Sequence, residues 1–241
     1  MKDQAKHNAE FDLYGGLDPA DQPRYSYVDA ARATNVPAST VAAWTRGMRY
    51  TRRGKTPGYF ISVIERPDRE ATRLSFNNLL EVNVLRALRE VHEVRMTAVR
   101  DAIERAKEDH GIKRLLIDPH LRTSGGQLFL DYYFQLVELT KTQQLALQEI
   151  LRESLQRIQV DNSRVECFFP LPRSRRSPQG ARPILVSPYI SFGNPIIERV
   201  GVTTNAIRSR VDLGEEKEVI MADYGLNEEE FDEAIRYEAA A

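Results

Sequence analysis

The 241-residue chain has one cysteine, one tryptophan and four histidines, and each shortage excludes something. Cys167 alone cannot form an internal disulfide, and its isolation suits a reducing cytoplasm. No apolar run approaches the ~20 residues that a membrane helix needs. The opening MKDQAKHNAEFD also lacks the hydrophobic core of a signal segment, so a soluble, cytoplasmic chain without membrane contact is expected. His7, His92, His110 and His120 are scattered, and only His120, two residues from Asp118, has ligand-like company. An Asp and a His at a strand end are more often structural than catalytic. Glu149 and Glu153 share a helix face, as solvated pairs commonly do. No GxSxG, HExxH, P-loop or glycine-rich dinucleotide pattern occurs. The expectation is a non-enzyme without metal or cofactor.

Charge of either sign is not in excess overall, since the net charge is −1, but it is unevenly spread. From Arg24 to Arg73 ten basic residues stand against four acidic ones, whereas Asp212 to Glu238 holds eleven carboxylates against Lys217 and Arg236. A basic front suits phosphate, and an acidic end is repelled by it. The length allows two or three compact units.

The stretch from Tyr25 to Glu65 is the most informative. Ser26 and Asp29 have capping-box spacing, Val28, Ala30 and Ala31 supply a small apolar face, and Asn35 ends a two-turn helix. Pro37 then opens a second helix. In it Val41 and Trp44 face inward, while Ser39, Thr40, Ala43 and Arg46 face outward. Gly47 stops this helix. Arg49, Arg52, Arg53 and Lys55, interleaved with Tyr50 and Thr51, run to a Pro57-Gly58 turn and the apolar strand Tyr59 to Ile64. Two short helices followed by a basic hairpin make a winged helix-turn-helix, spanning 24–73. Its candidate DNA contacts are Ser39, Thr40, Arg46, Arg49, Arg52, Arg53 and Lys55, the wing cations meeting phosphates that position a protein without reading bases. The segment resembles the winged helix of MerR-like regulators. Where metal-sensing members place arginines, this chain has Ala42 after Val41 and Phe60 after Tyr59.

A middle unit is expected over 74–167. Leu80, Val84, Leu88 and Val91, then Met96, Val99, Ile103 and Ala106, define two helical stripes separated near His92 and Glu93. Ile112 to Asp118 reads as a strand, Ser124-Gly125-Gly126 as a turn and Gln127 to Phe134 as the returning strand. That order allows a second winged-helix-like unit or a dimer surface. Leu136 to Ile158 reads as a last helix whose Leu147, Ile150, Leu151, Leu155 and Ile158 pack on this core or on another subunit.

Residues 168–183, FFPLPRSRRSPQGARP, read as a flexible basic linker. From 184 to 241 two short strands bracket Gly193-Asn194-Pro195, and three short helices follow: Thr204 to Val211, Glu216 to Tyr224 and Asn227 to Tyr237. The fold class is therefore mainly α with small β-hairpins. The last segment resembles the domain-of-unknown-function family DUF433. The resemblance rests on Ser191-Phe192-Gly193-Asn194-Pro195-Ile196-Ile197, Gly201-Val202-Thr203-Thr204, Asp223-Tyr224-Gly225-Leu226 and Ala234-Ile235-Arg236-Tyr237, with Arg199-Val200-Gly201 departing from the usual motif.

With the winged helix in front, the whole resembles atypical VapB antitoxins. The resemblance implies operator DNA and a cognate PIN-like ribonuclease toxin as partners, and a homodimer or a hetero-oligomer with the toxin. PIN-like sites hold metal with clustered carboxylates, so Arg173, Arg175 and Arg176 are candidate toxin contacts, with a solvated basic spacer as the alternative. Rival readings are a stand-alone MerR-like transcription regulator and a nuclease using Asp118 and His120.

Overall fold

A computed structural model describes residues 16–51, 57–68, 70, 72–90, 94–112, 114–117, 127–161, 164–174 and 181–240. The front end is set by a reciprocal cap. The Ser26 hydroxyl accepts from the Asp29 N–H at 3.1 Å, and the Asp29 carboxylate accepts from the Ser26 N–H at 2.8 Å. This cap opens α1 (Tyr27–Thr34), which Asn35 ends at φ 59°, a left-handed conformation that asparagine tolerates. Ala30, Ala33 and Thr34 form its buried face, whereas Val28, expected inside, is exposed. α2 (Ala38–Arg46) starts from Pro37. β1 (Met48–Tyr50) and β2 (Gly58–Phe60) then pair antiparallel, Met48 opposite Phe60 and Tyr50 opposite Gly58. The winged order read from the sequence is present, with a shorter second strand.

The middle is built on α3 (Phe76–Glu90) and α4 (Met96–His110). Leu80, Val84, Leu88, Val99 and Ala106 are fully buried on the expected stripes, and the break at His92 and Glu93 lies outside the described residues. Among the described residues, the segments expected as strands at 112–118 and 127–134 hold no strand. Leu115–Ile117 is a 3-10 turn, and α5 (Gln127–Leu136) is a helix. Phe129, Leu130, Tyr133 and Val137 recur at helical spacing and are buried, so an aromatic-rich run that imitates a strand is a core helix against α4. Among the described residues there is no second wing, and the expected turn at 124–126 lies outside them.

Thr140 and Gln143 make a second reciprocal cap, opening α6 (Lys141–Gln156). Leu147, Leu151 and Leu155 of this helix enter the same core as α3, and the Asn83 side-chain amide donates to the Ser154 hydroxyl at 2.9 Å across the contact. The apolar face of α6 is thus satisfied within the chain. A hairpin that the sequence reading did not foresee follows, β3 (Ile158–Asp161) against β4 (Arg164–Phe168).

The segment expected to be a flexible linker is anchored at both of its described ends. Phe168 and Val186 exchange backbone hydrogen bonds at 2.8 and 2.9 Å. The buried Arg157 guanidinium donates to the carbonyls of Phe169, Pro170 and Ala181 at 2.7, 2.7 and 2.9 Å. Residues 175–180 lie outside the described residues.

The C-terminal module has β5 (Ile184–Leu185) paired with β6 (Ile196–Ile197), then α7 (Thr204–Asp212), α8 (Lys217–Tyr224) and α9 (Glu228–Ala239). Gly225 ends α8 at φ 65°, and Asn227 caps α9 through Glu230. Ile184, Ile197, Ile207, Ile220, Phe231 and Tyr237 form a separate small core. α9 packs on α1.

Candidate nucleic-acid interface

On α2, Val41 is fully buried and Trp44 is 3% exposed, as their spacing requires. Ser39 and Arg46, two turns apart on one face, are exposed, and Thr40 is half-buried. Ala43, expected outside, is buried. The reason is the chain leaving the wing: the N–H groups of Val63 and Ile64 both donate to the Trp44 carbonyl, at 2.8 and 3.0 Å, and close over this end of the helix. Thr45 is buried as well and donates to the Val41 carbonyl at 2.8 Å.

The corner between helix and wing depends on Gly47. Its φ is +74°, and a Cβ there would lie 2.5 Å from the Phe60 carbonyl oxygen and 2.6 Å from the Tyr59 hydroxyl. That hydroxyl donates to the Arg46 carbonyl at 3.0 Å, fixing the wing against the end of α2. Arg49 stands directly opposite Tyr59, and both side chains are exposed. Ser39, Arg46 and Arg49 are thus exposed and Thr40 half-buried on the helix and wing that Gly47 joins. Arg52, Arg53 and Lys55 lie outside the described residues.

Arg89, in the last turn of α3, was not singled out by sequence. Its guanidinium lies 5.8 Å from the Trp44 ring centroid and is attracted to the ring face. No local signal marks it, because the neighbour arises only when α3 packs beneath the winged helix.

Of the candidate toxin contacts, the one that the structure describes, Arg173, is engaged inside the molecule. Its guanidinium donates to Asn35 Oδ1 at 2.7 Å and to the Arg32 and Ala31 carbonyls, filling the open C-terminal end of α1. The Arg173 N–H and the Ser174 N–H donate to the Glu233 carboxylate. Arg173 is thus a clasp between the winged helix and α9, not the free cation that a flexible linker would present. Arg175 and Arg176 lie outside the described residues, as do Asp118 and His120.

Among the described residues no group of three or more His, Cys, Asp or Glu side chains could hold a metal, and no helix is long and apolar enough to cross a membrane. Burial pushes the Cys167 thiol up to about 11, which keeps it protonated and unreactive.

Residues 23–103 match the family described as "Putative DNA-binding HTH domain", so the matched unit continues from the winged helix through α3 into α4. Residues 184–237 match the family described as "Protein of unknown function (DUF433)". The front of the chain is a helix-turn-helix domain and its end is a DUF433 domain. Over 232 residues the chain is 23% identical to "Putative antitoxin VapB45" of Mycobacterium tuberculosis (strain ATCC 25618 / H37Rv), covering 89% of this chain and 93% of that protein. The crystal structure of Rv2018 from Mycobacterium tuberculosis shares the fold, with a TM-score of 0.62 and 19% identity over 89% of this chain and 98% of that one. The DUF433 module is therefore joined to the helix-turn-helix domain within an architecture already seen in a solved protein.

Proposed function

We propose that this chain is the antitoxin of a type II toxin-antitoxin module, a cytoplasmic non-enzyme that binds and neutralises a PIN-like ribonuclease toxin and represses its own operon by binding operator DNA. The observation that carries the reading is the joining, in one chain, of exposed α2 and wing residues to a DUF433 module, in a chain that aligns over 89% of its length with a relative named as a putative antitoxin. A homodimer, or a hetero-oligomer with the toxin, places two recognition helices on one palindromic operator and multiplies modest single-site affinities. Arg46 and Arg49 meet phosphate, and Ser39 and Thr40 approach base edges.

Arg173 is occupied within the chain, so an arginine that enters the toxin's carboxylate cluster comes from Arg175 or Arg176. Co-expression with the product of the adjacent gene, followed by pull-down and a ribonuclease assay, tests the reading. The expected result is a stable complex with suppressed ribonuclease activity, restored by R175S/R176S while the complex persists. A chain that binds DNA but neither captures nor inhibits the toxin would support the stand-alone MerR-like regulator.

A further inference from the structure

Between α1 and the DUF433 module lies a cleft of about 560 Å³, within the ~300–1,000 Å³ typical of sites for small organic ligands. It is separate from the face formed by α2 and the wing. Arg24, Arg32 and Arg73 line it, against the carboxylates of Asp29 and Glu238. Both carboxylates are already engaged. Asp29 accepts from the Ser26 N–H and hydroxyl at 2.8 and 2.7 Å, while Glu238 pairs with Arg32 at 3.3 Å and accepts from the Thr204 hydroxyl.

Arg24 and Arg73 are differently placed. Arg24 donates to the Asn194 side-chain oxygen at 3.2 Å, and Arg73 donates to the Arg24 carbonyl at 2.7 Å. Both acceptors are neutral, so neither guanidinium is paired with a carboxylate among the described residues. An anion in the cleft would give both guanidinium groups the charged partner they lack. The buried Nε of Arg32 has no acceptor among the described residues. Thr203 and Asn205 bring the first turn of α7, the positive end of its dipole, to the same cleft. Pro23 and Pro195 supply apolar wall, and the buried Leu79 and Val186 close the base.

We propose that this cleft binds a small phosphorylated molecule of about mononucleotide size, its phosphate between Arg24 and Arg73 and its body against the proline wall. The site is additional to DNA and toxin binding. One wall belongs to the helix-turn-helix domain and the other to the DUF433 module, so an occupant holds the two together.

Isothermal titration calorimetry of the full chain tests this with inorganic phosphate, pyrophosphate and adenosine monophosphate as probes, at ionic strength held constant with sodium chloride. Saturable single-site binding of at least one probe is expected, weakened about tenfold or more by R24Q and by R73Q. R208Q is the control and should leave binding unchanged, because Arg208 pairs with Asp212 within α7 and does not line the cleft. Arg73 is exposed and its guanidinium donates to a single backbone carbonyl, so R73Q is expected to remain folded and keeps the test open should R24Q not. Tighter binding of adenosine monophosphate than of phosphate assigns the body to the proline wall, equal binding assigns the phosphate alone, and both uphold the site. Non-saturable heats with all three probes, or binding retained in R24Q and R73Q, would overturn it.

Discussion

Gly47 governs the interface at the scale of single residues. Its positive φ and the backbone oxygen 2.5 Å from any added Cβ leave no room for a side chain. G47A is expected to cost about 1–3 kcal/mol in urea unfolding and to lower DNA affinity by displacing the wing. An unchanged midpoint together with unchanged affinity would contradict the corner geometry. Trp44 is a core residue, and W44A should destabilise by about 3–5 kcal/mol. A variant that melts normally yet loses DNA binding would show that the indole belongs to the contact face. At this scale much was legible. The Ser26–Asp29 cap, the stop at Asn35 and the inward Val41 and Trp44 follow from spacing and local side-chain chemistry. Ala43 was not legible, because its burial depends on backbone that returns from the wing twenty residues later.

Among the elements, legibility failed where contacts are long-range. The run from Gln127 to Leu136 is rich in aromatics that suit strands, and only packing against α4 decides for helix. The Pro/Ser/Arg composition of 168–183 reads as linker, yet its anchor, Arg157, comes from the end of the preceding helix. Burial first, then the nearby Arg182 and Arg86, push the Arg157 guanidinium down to about 10, so it remains charged at neutral pH. Its three carbonyl partners would be stranded by R157M, at a cost on the order of 2–4 kcal/mol. Faster hydrogen exchange at Ile184 and Val186 should accompany the loss, since β5 begins just beyond the segment that Arg157 holds. A stability equal to wild type would mean that the segment is a free tether after all.

For the whole molecule, the charge asymmetry read from the sequence is softened by pairing. Arg199 holds Glu230, Arg210 bridges Glu215 and Asp223, and Lys217 bridges Glu228 and Asp232, so much of the acidic module is balanced within itself. The Arg199 hydrogen bond holds the Glu230 carboxyl below its ordinary range. With the folded-state value lowered, this contribution is present above the ordinary glutamate range and is lost as pH falls through the lowered value. R199Q should therefore flatten the acid side of a melting-temperature profile while leaving its alkaline side in place. A profile parallel to wild type across the acid range would remove Glu230 from the account.

The central claim, that α2 and the wing form the face that meets DNA, is tested most directly by fluorescence anisotropy of the full chain on the DNA upstream of its own gene, across a salt series. Wild type should bind with a steep salt dependence, and R46A/R49A should weaken binding to specific and random duplexes alike, reducing the slope by about 0.9 per lost phosphate contact. An unchanged slope and affinity in R46A/R49A, or no binding by the wild type at low salt, would contradict it.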